Sequence, residues 1–221
     1  MGLSFLDERL WFPDAQFAEE DGLLAFGGDL RPERLILAYR SGIFPWYNAE
    51  EPILWWCPDP RFVLYTHELK VQKSMRPILR NGQFKFKLNT AFSEVLAHCR
   101  HIQRKDQPGT WITDEIEIAY NQMHALGYAI SAETWLGDEL VGGLYGIKMG
   151  NMFFGESMFA NVSNASKYAF IHCVEWLKAQ HIPLIDCQIY TEHLESFGAR
   201  MISREDFLSH LKQHIPYSRL I

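Results

Sequence analysis

The chain has 221 residues, of which 48% are apolar and 22% charged, and its formal net charge is −6. These values fit a globular protein of one or two domains and exclude a disordered chain. No apolar run approaches the roughly 18 residues of a membrane span, and no secretory leader opens the sequence, so we expect no membrane partner. The four cysteines lie far apart without a CxxC pair, which favours a reduced, cytoplasmic protein without a zinc ribbon or disulfide scaffold.

The first part of the chain, residues 1–62, is rich in proline, glycine and tryptophan and shows little sustained periodicity. One helix is predicted over 31–42, with Pro32 in its first turn. Aromatic residues between prolines favour a stiff, poorly helical wall after this helix. We therefore predict a small N-terminal lobe over 1–62 and a second domain over 63–221.

From residue 63 onward the sequence pattern becomes regular. The predicted elements are a short strand FVLY (62–65), a basic helix over 69–80, a helix over 90–103, a helix capped by Thr113, three strands near 128–136, 139–147 and 151–159, a helix over 165–179, a last core strand over 184–190 and a terminal helix opened by Ser203. A strand meander followed by a helix and a strand predicts an α+β sheet whose final crossover is right-handed and parallel.

The segment LIDCQIY (184–190) combines apolar residues with a carboxylate and an amide. Side chains alternate along a strand, so we expect Asp186 and Gln188 on one face, about 6.6 Å apart along the strand. Polar side chains on a core strand are costly unless they are paired or face a cleft. Two interpretations stay open here: a structural aspartate bonded to the backbone, or a functional pair.

Two neighbouring segments also carry candidate site features. GESMF (155–159) supplies a second acid, Glu156, whose alternative interpretation is ordinary surface charge. The segment is not a nucleophile elbow, because G-x-S-x-G needs glycine where Phe159 stands. LVGGLYG (140–146) places three glycines inside a predicted strand, which indicates that a ligand or another backbone approaches closely.

Basic residues concentrate in one short stretch, which we call the basic stripe. It contains six Lys and Arg and no acidic residue: Lys70, Lys73, Arg76, Arg80, Lys85 and Lys87. A local basic stripe on an acidic protein is typical of a docking patch for a polyanion such as an RNA stem, and the alternative is a solvated helix face.

Aromatic side chains offer a second route to nucleic acid. Trp46, Trp55, Trp56 and Trp111 are candidates for stacking on nucleobases, although most tryptophans fill cores. The histidines show no ligand spacing with a cysteine or carboxylate, so we predict no metal site.

Seven segments in order resemble the bacterial leucyl/phenylalanyl-tRNA–protein transferases over nearly the whole chain. They are GIFPWY (42–47), PILWWCPDPR (52–61), GTWIT (109–113), LVGGLYG (140–146), GESMF (155–159), ASK (165–167) and LIDCQ (184–188). Any one of these segments is weak evidence, whereas seven in the same order and spacing are specific.

The resemblance implies an acetyltransferase-like (GNAT-like) domain of α+β class behind a smaller N-terminal α/β lobe. It also implies an activity: transfer of Leu or Phe, and Met less well, from its tRNA to a protein that begins with Arg or Lys. The product is a substrate for proteolysis by the N-degron route. Neither a metal nor coenzyme A is implied, and we expect a monomer.

The resemblance further implies roles for individual residues. The proton relay maps onto Asp186 and Gln188, with Gln188 orienting the amine, Asp186 carrying the negative charge, and Glu156 helping to attract the cationic acceptor. The ribose 2′-hydroxyl of the tRNA is an alternative proton shuttle. The remaining roles are an aminoacyl side-chain pocket of Leu144, Phe153, Phe170, Cys173, Leu177 and Ile185, an adenosine site of Trp46 and Trp111, and a tRNA site of Lys70, Lys73, Arg76, Arg80 and Lys85.

Two other functions remain as alternatives at this point. One is an aminoacyl-tRNA-dependent transferase that acts on another acceptor, such as a peptidoglycan precursor, although such enzymes usually have two acetyltransferase-like domains. The other is a non-catalytic module that recognises tRNA or basic N-termini, which would have no reason to pair Asp186 with Gln188.

Overall fold

The computed structural model describes residues 3–101 and 112–215, which form eleven strands and seven α-helices. The strands are β1 (Ser4–Leu6), β2 (Leu23–Gly27), β3 (Phe44–Pro45), β4 (Leu54–Trp56), β5 (Arg61–Tyr65), β6 (Lys85–Leu88), β7 (Ala129–Leu136), β8 (Glu139–Met149), β9 (Met152–Ala160), β10 (Leu184–Gln188) and β11 (Arg200–Ile202). The helices are α1 (Pro32–Arg40), α2 (Met75–Arg80), α3 (Phe92–His101), α4 (Asp114–Ala125), α5 (Ala165–Ala179), α6 (Glu192–Glu195) and α7 (Arg204–His214).

The strands form two mixed sheets, so the fold is of mixed α/β class. The smaller sheet has the order β1-β2-β4-β3, and the larger has the order β11-β5-β10-β9-β8-β7-β6. Strand β10 pairs parallel with β9 and antiparallel with β5, while β7, β8 and β9 form an antiparallel meander. The predicted meander and the parallel pairing of the last core strand are therefore confirmed.

Local signals in the sequence explain where several helices begin. Helix α1 begins at Pro32, whose fixed backbone suits the first turn. The Thr113 side chain accepts the Ile116 N–H at 3.2 Å and caps α4, and Ser203 accepts the Asp206 N–H at 3.0 Å and caps α7. Helix α5 has the predicted bounds.

The predicted basic helix over 69–80 is wrong in its first half. Only Met75–Arg80 is helical, and residues 69–74 run as a non-helical segment. Pro77 has no N–H and would lie in the interior of a helix over 69–80, where its ring breaks the hydrogen-bond ladder, whereas the first turn of α2 tolerates it. The Lys70 N–H instead donates at 2.8 Å to the carbonyl of Phe197, which follows α6.

Each face of the larger sheet has its own core. Helices α2 and α5 pack on one face, and α3, α4, α7 and the N-terminal residues pack on the other. Consecutive residues such as Phe153 and Phe154 belong to opposite cores, as strand alternation requires. The buried side chains of residues 4–57 share one continuous core with those of α3, α4 and α7.

The glycines of β8 lie where other backbone segments come close. A Cβ on Gly142 would lie 2.5 Å from the Cβ of Ala165, because the first turn of α5 crosses the strand there. At Gly146 a Cβ would lie 2.2 Å from the carbonyl oxygen of Phe154 on β9. The predicted close approach of backbone to this glycine-rich strand is confirmed. Among the described residues, no helix has the length and apolar character needed to cross a membrane.

Candidate active site

A cavity of about 500 Å³ opens where β9 and β10 part. The pairing of these parallel strands runs from Leu184 and Met152 to Asp186 and Phe154 and goes no further. The cavity lining includes Phe153 and Ile185 from one core and Phe44 and Tyr145 from the face opposite. The cavity is therefore a gap between diverging strands that reaches both faces of the sheet.

A bulge in each of the two strands directs a polar side chain to this gap. On β9, Ser157 pairs with Tyr145 and Gly155 with Gly146, so Glu156 is the extra residue. On β10 the register shifts between Asp186 and Gln188, and Gln188 has a φ of +65°, which is uncommon for a residue with a side chain. Bulges of this kind often re-aim a side chain next to an active site.

Glu156 is the centre of a hydrogen-bond cluster at the cavity wall. Its Oε1 atom accepts the Gln188 Nε2–H at 2.9 Å and the Tyr39 hydroxyl at 2.8 Å. Its Oε2 atom accepts the Tyr120 hydroxyl at 3.0 Å. The hydroxyls of Tyr39 and Tyr120 are also hydrogen-bonded to each other. Both Glu156 and Gln188 line the cavity.

The surroundings of Glu156 place its ionisation near neutrality. Burial raises the pKa of Glu156 to about 7, and the negative charge of Asp186 acts in the same direction. The hydrogen bonds from Tyr39, Tyr120 and Gln188 lower this pKa and offset part of the effect of burial. Burial also raises the pKa of both tyrosines, which therefore stay protonated as donors. A carboxylate with a pKa near the working pH is suited to accept and return a proton.

Asp186 lies beside this cluster but is sealed from the cavity. Its two oxygens accept from Arg61 Nε at 2.8 Å and Arg61 Nη2 at 2.7 Å, and both side chains are fully buried. The Arg61 guanidinium lies over the rings of Phe44 and Phe207, at 4.8 and 4.5 Å from their centroids. Asp186 Oδ1 also accepts the backbone N–H of Gln188 at 2.9 Å.

The prediction that Asp186 and Gln188 share one open face is therefore wrong for Asp186. The alternation on which it rested ends at the bulge, so Gln188 turns to the cavity while Asp186 stays inside. Asp186 carries its negative charge in a buried ion pair with Arg61 and not as a free charge at the cavity.

The apolar wall of the cavity contains part of the predicted side-chain pocket. Leu144, Phe153, Phe170 and Ile185 line it. Cys173 and Leu177 are buried but do not line it, because the cavity lies over the first turns of α5 and these two residues are further along the helix, in the core. Other lining residues were not predicted from the sequence, and they include Phe44, Met158, Phe159, Leu194 and His193.

One predicted adenosine contact lies at the cavity and the other is outside the described residues. Trp46 is half-buried and lines the cavity. Trp56 supports it, since its Nε1–H donates at 2.6 Å to the Trp46 carbonyl and the two rings are 5.8 Å apart. Trp55 is fully buried and donates to the Gly27 carbonyl, which makes it a core residue. Trp111 lies outside the described residues.

All six residues of the basic stripe are exposed to solvent. They lie on the non-helical segment before α2, on α2 itself and on the edge strand β6. The Lys87 ammonium lies 4.0 Å from the centroid of the Trp135 ring. The stripe is thus free for contact with a large polyanion.

Comparison with known proteins gives matches along most of the chain. Residues 63–212 match the family profile "Leucyl/phenylalanyl-tRNA protein transferase", and residues 28–59 match the profile of that family's N-terminal domain. The leucyl/phenylalanyl-tRNA–protein transferase of Flavobacterium johnsoniae is 55% identical over 208 residues, which are 94% of this chain and 98% of that protein. The protein of the same name from Syntrophobacter fumaroxidans is 51% identical over 211 residues, covering 96% and 90%.

Similarity to solved structures is much weaker. The structure of L-PGS from Bacillus licheniformis is 13% identical, with a TM-score of 0.40 over 89% of this chain and 61% of that chain. A likeness at this level carries no argument about the fold.

Proposed function

This chain belongs to the leucyl/phenylalanyl-tRNA–protein transferase family, and from that premise we propose that it transfers Leu or Phe, and Met less well, to proteins that begin with Arg or Lys. The acyl donor is the aminoacyl-tRNA, and the product is a protein marked for degradation by the N-degron route. We propose that the chain acts in the cytoplasm as a monomer. The observation that carries the proposal is the Glu156–Gln188 pair at the wall of an apolar cavity.

Attack of an amine on an aminoacyl ester mainly requires that the two substrates be held in the correct position. An α-amine has a pKa near 8 and is partly neutral at cytoplasmic pH, while the aminoacyl ester is already activated. Holding the amine in line with the ester carbonyl supplies about 7–11 kcal/mol of the barrier in favourable cases. No metal or coenzyme is part of this proposal.

We assign the acceptor amine to Glu156 and Gln188. The Glu156 carboxylate attracts the cationic N-terminal residue, and the Gln188 amide oxygen is available to orient the amine because its Nε2 is bonded to Glu156. Asp186 contributes indirectly, without contacting the substrate. Paired with Arg61, it holds the Gln188 N–H and so supports the bulged backbone of β10.

We assign the aminoacyl side chain to the apolar wall of the cavity, formed by Leu144, Phe153, Phe170 and Ile185. Unbranched or γ-branched side chains fit such a wall, whereas β-branched Ile and Val collide with it near the ester. Discrimination by the placement of one methyl group should be about 10–200-fold. We assign the terminal adenosine to Trp46, with Trp111 as a second contact.

Two further assignments concern the whole chain. We propose a boundary near residue 62, between an N-terminal lobe and an acetyltransferase-like domain over 63–221. The mixed sheet and its diverging parallel strands support the assignment of the acetyltransferase-like domain. We also propose that five residues of the basic stripe, all except Lys87, hold phosphates of the tRNA.

A direct transfer assay tests the function. Labelled Leu-tRNA is supplied with a model protein that begins with Arg, and the matched control is the same protein beginning with Ala. We expect label only in the protein that begins with Arg. Tight binding of the tRNA without transfer would instead show a recognition module, and label in a peptidoglycan precursor would show a different acceptor.

Salt dependence tests the tRNA assignment. Replacing Lys73 and Arg76 by Ala should raise KM for the charged tRNA and reduce the slope of log KM against log salt by roughly 0.7–0.9 per lost phosphate contact. The matched control replaces Lys178 and Lys212, which are exposed and lie outside the stripe. An equal slope in both double variants would refute the assignment.

A further inference from the structure

Three oxygen-bearing side chains from three separate segments meet at the wall of the cavity. Tyr39 comes from α1 in the N-terminal part of the chain, Tyr120 from α4, and Glu156 from the bulge of β9. Each of the three is hydrogen-bonded to the other two. Both tyrosines are fully buried, and Glu156 is partly open to the cavity.

Counting protons shows what this triangle can do. When Glu156 is ionised, the two hydroxyls provide two protons for three oxygen–oxygen contacts, and both protons point to the carboxylate. When Glu156 is protonated, a third proton is present and every contact of the triangle has a donor. The cluster can therefore accept one additional proton on Glu156 and can release it again.

The carboxylate also retains room for a substrate. A carboxylate offers about four lone-pair positions. Tyr39 and Gln188 occupy two on Oε1 and Tyr120 occupies one on Oε2, counting the contacts of the described residues. One acceptor position on Oε2 remains for an N–H of the incoming amine.

We propose that Tyr39 and Tyr120 are positioning residues that make Glu156 the proton acceptor of the transfer reaction. This inference rests on the proposed function. The amine nitrogen attacks the ester carbonyl carbon and forms the C–N bond. Glu156 takes one proton from that nitrogen. The bond from the carbonyl carbon to the ribose oxygen then breaks, and the departing oxygen takes the proton from Glu156, which ends ionised as it began.

Neither Gln188 nor Asp186 takes over this role. Gln188 is an amide, and a neutral amide oxygen is a very poor base. Asp186 is buried and paired with Arg61, so it acts on Glu156 only through its charge. Among the described residues, the groups that face Glu156 are two tyrosines, the Gln188 amide, and the Asp186–Arg61 ion pair.

Removing either hydroxyl should move the titration of Glu156 in a known direction. A hydrogen bond to the ionised acid is stronger than one to the neutral acid, so its loss disfavours the ionised form. Tyr39→Phe and Tyr120→Phe should each raise the pKa of Glu156 by about one unit. Transfer should then weaken below pH 7.5 and recover at higher pH.

Carbon-13 NMR of protein labelled at the glutamate side-chain carboxyl tests this directly, with Glu156→Gln used to identify the resonance. We expect a titration midpoint near 7 in the unaltered protein and a higher midpoint in each tyrosine variant. The pH profile of kcat at saturating substrates should move with it. The matched control is Tyr168→Phe, which removes a buried hydroxyl that donates to the Phe84 carbonyl and does not contact Glu156.

The outcomes separate the inference from the function. An unaltered protein that transfers Leu while its Glu156 midpoint lies near 4.5, or stays fixed in both tyrosine variants, overturns the inference and keeps the function. A midpoint that moves as expected in a protein without transfer activity refutes the proposed function. Equal changes in kcat at every pH, including in Tyr168→Phe, would indicate a structural role only and also overturn the inference.

Discussion

Two glutamates in the same sheet, the fully buried Glu133 and the half-buried Glu156, differ in how completely their carboxylates are hydrogen-bonded. Glu133 on β7 accepts from the backbone N–H groups of Thr90 and Ala91 at 2.8 Å each, from the Ser131 hydroxyl at 2.8 Å, from Trp135 Nε1 at 3.1 Å, and from the Thr90 hydroxyl. Glu156 on β9 accepts from three donors and borders a cavity.

The number of donors contributes to the difference in pKa, together with the negative charge of Asp186 near Glu156. Burial raises the pKa of Glu133, but its five hydrogen bonds outweigh burial and the net pKa is lowered. Three donors do not offset burial at Glu156, whose pKa rises to about 7. A buried acid saturated with donors is a structural element, here at the start of α3, whereas an unsaturated acid beside a cavity is free to exchange a proton.

The largest effect should come from removing the exchangeable acid. Glu156→Gln keeps the size of the side chain but cannot accept the amine proton, so single-turnover transfer should fall by about 10²–10⁴-fold. Circular dichroism should show an intact fold. Transfer within threefold of the unaltered rate would contradict the role given to Glu156, since the loss of a general base cannot be that small.

Breaking the buried Asp186–Arg61 ion pair should lower the stability of the fold more than the rate of transfer. Asp186→Asn leaves the Arg61 guanidinium without its anion in the core and should cost about 3–5 kcal/mol of unfolding free energy, measured in urea. The fraction that remains folded should still transfer Leu, because Asp186 does not line the cavity. An unchanged stability together with loss of turnover would show that Asp186 acts directly in the chemistry.

Local sequence signals identified most of the elements around these acids. Caps at Thr113 and Ser203, together with periodic apolar faces, located the starts of α4 and α7, and the bounds of α5 were predicted correctly. Such features depend on residues within one or two turns. The basic helix was predicted too long because the charge pattern was followed across Pro77, which a first turn tolerates and a helix interior does not.

The site was predictable in its segments and less so in its geometry. Glu156 and Gln188 were found as candidates, but strand alternation gave no sign of the bulge that separates Gln188 from Asp186 or of the bulge at Glu156. Tyr39 and Tyr120 were missed because they meet Glu156 only in the folded protein. One signal was present, since Tyr120 places a hydroxyl on the apolar face of α4.

A smaller effect is expected at the saturated acid. Glu133→Gln replaces one acceptor oxygen by an amide group that faces other donors, which should cost about 1–3 kcal/mol of unfolding free energy. Transfer and its pH profile should be unchanged in the folded variant. A shifted pH profile would mean that Glu133 and Glu156 are coupled across the sheet, and the contrast between them would then fail.

The smallest effect is a difference in how stability depends on pH. Glu156 has a folded pKa above its ordinary value of 4.5, so between about pH 4.5 and 7 the folded state holds a proton that the unfolded state has lost. Its contribution to the unfolding free energy therefore falls as pH rises through this window. The change should be about 1–2 kcal/mol, because the side chain is partly open to the cavity. Glu133 has a lowered pKa, so its contribution has the opposite sign and is lost only as pH falls below about 4.5.

Urea unfolding at pH 5 and 7.5 measures this difference. The fall in unfolding free energy caused by Glu156 should appear in the unaltered protein and in Glu133→Gln, and it should be absent in Glu156→Gln. Equal slopes in all three proteins would show that Glu156 is ionised throughout and that the two acids do not differ in the way their surroundings indicate.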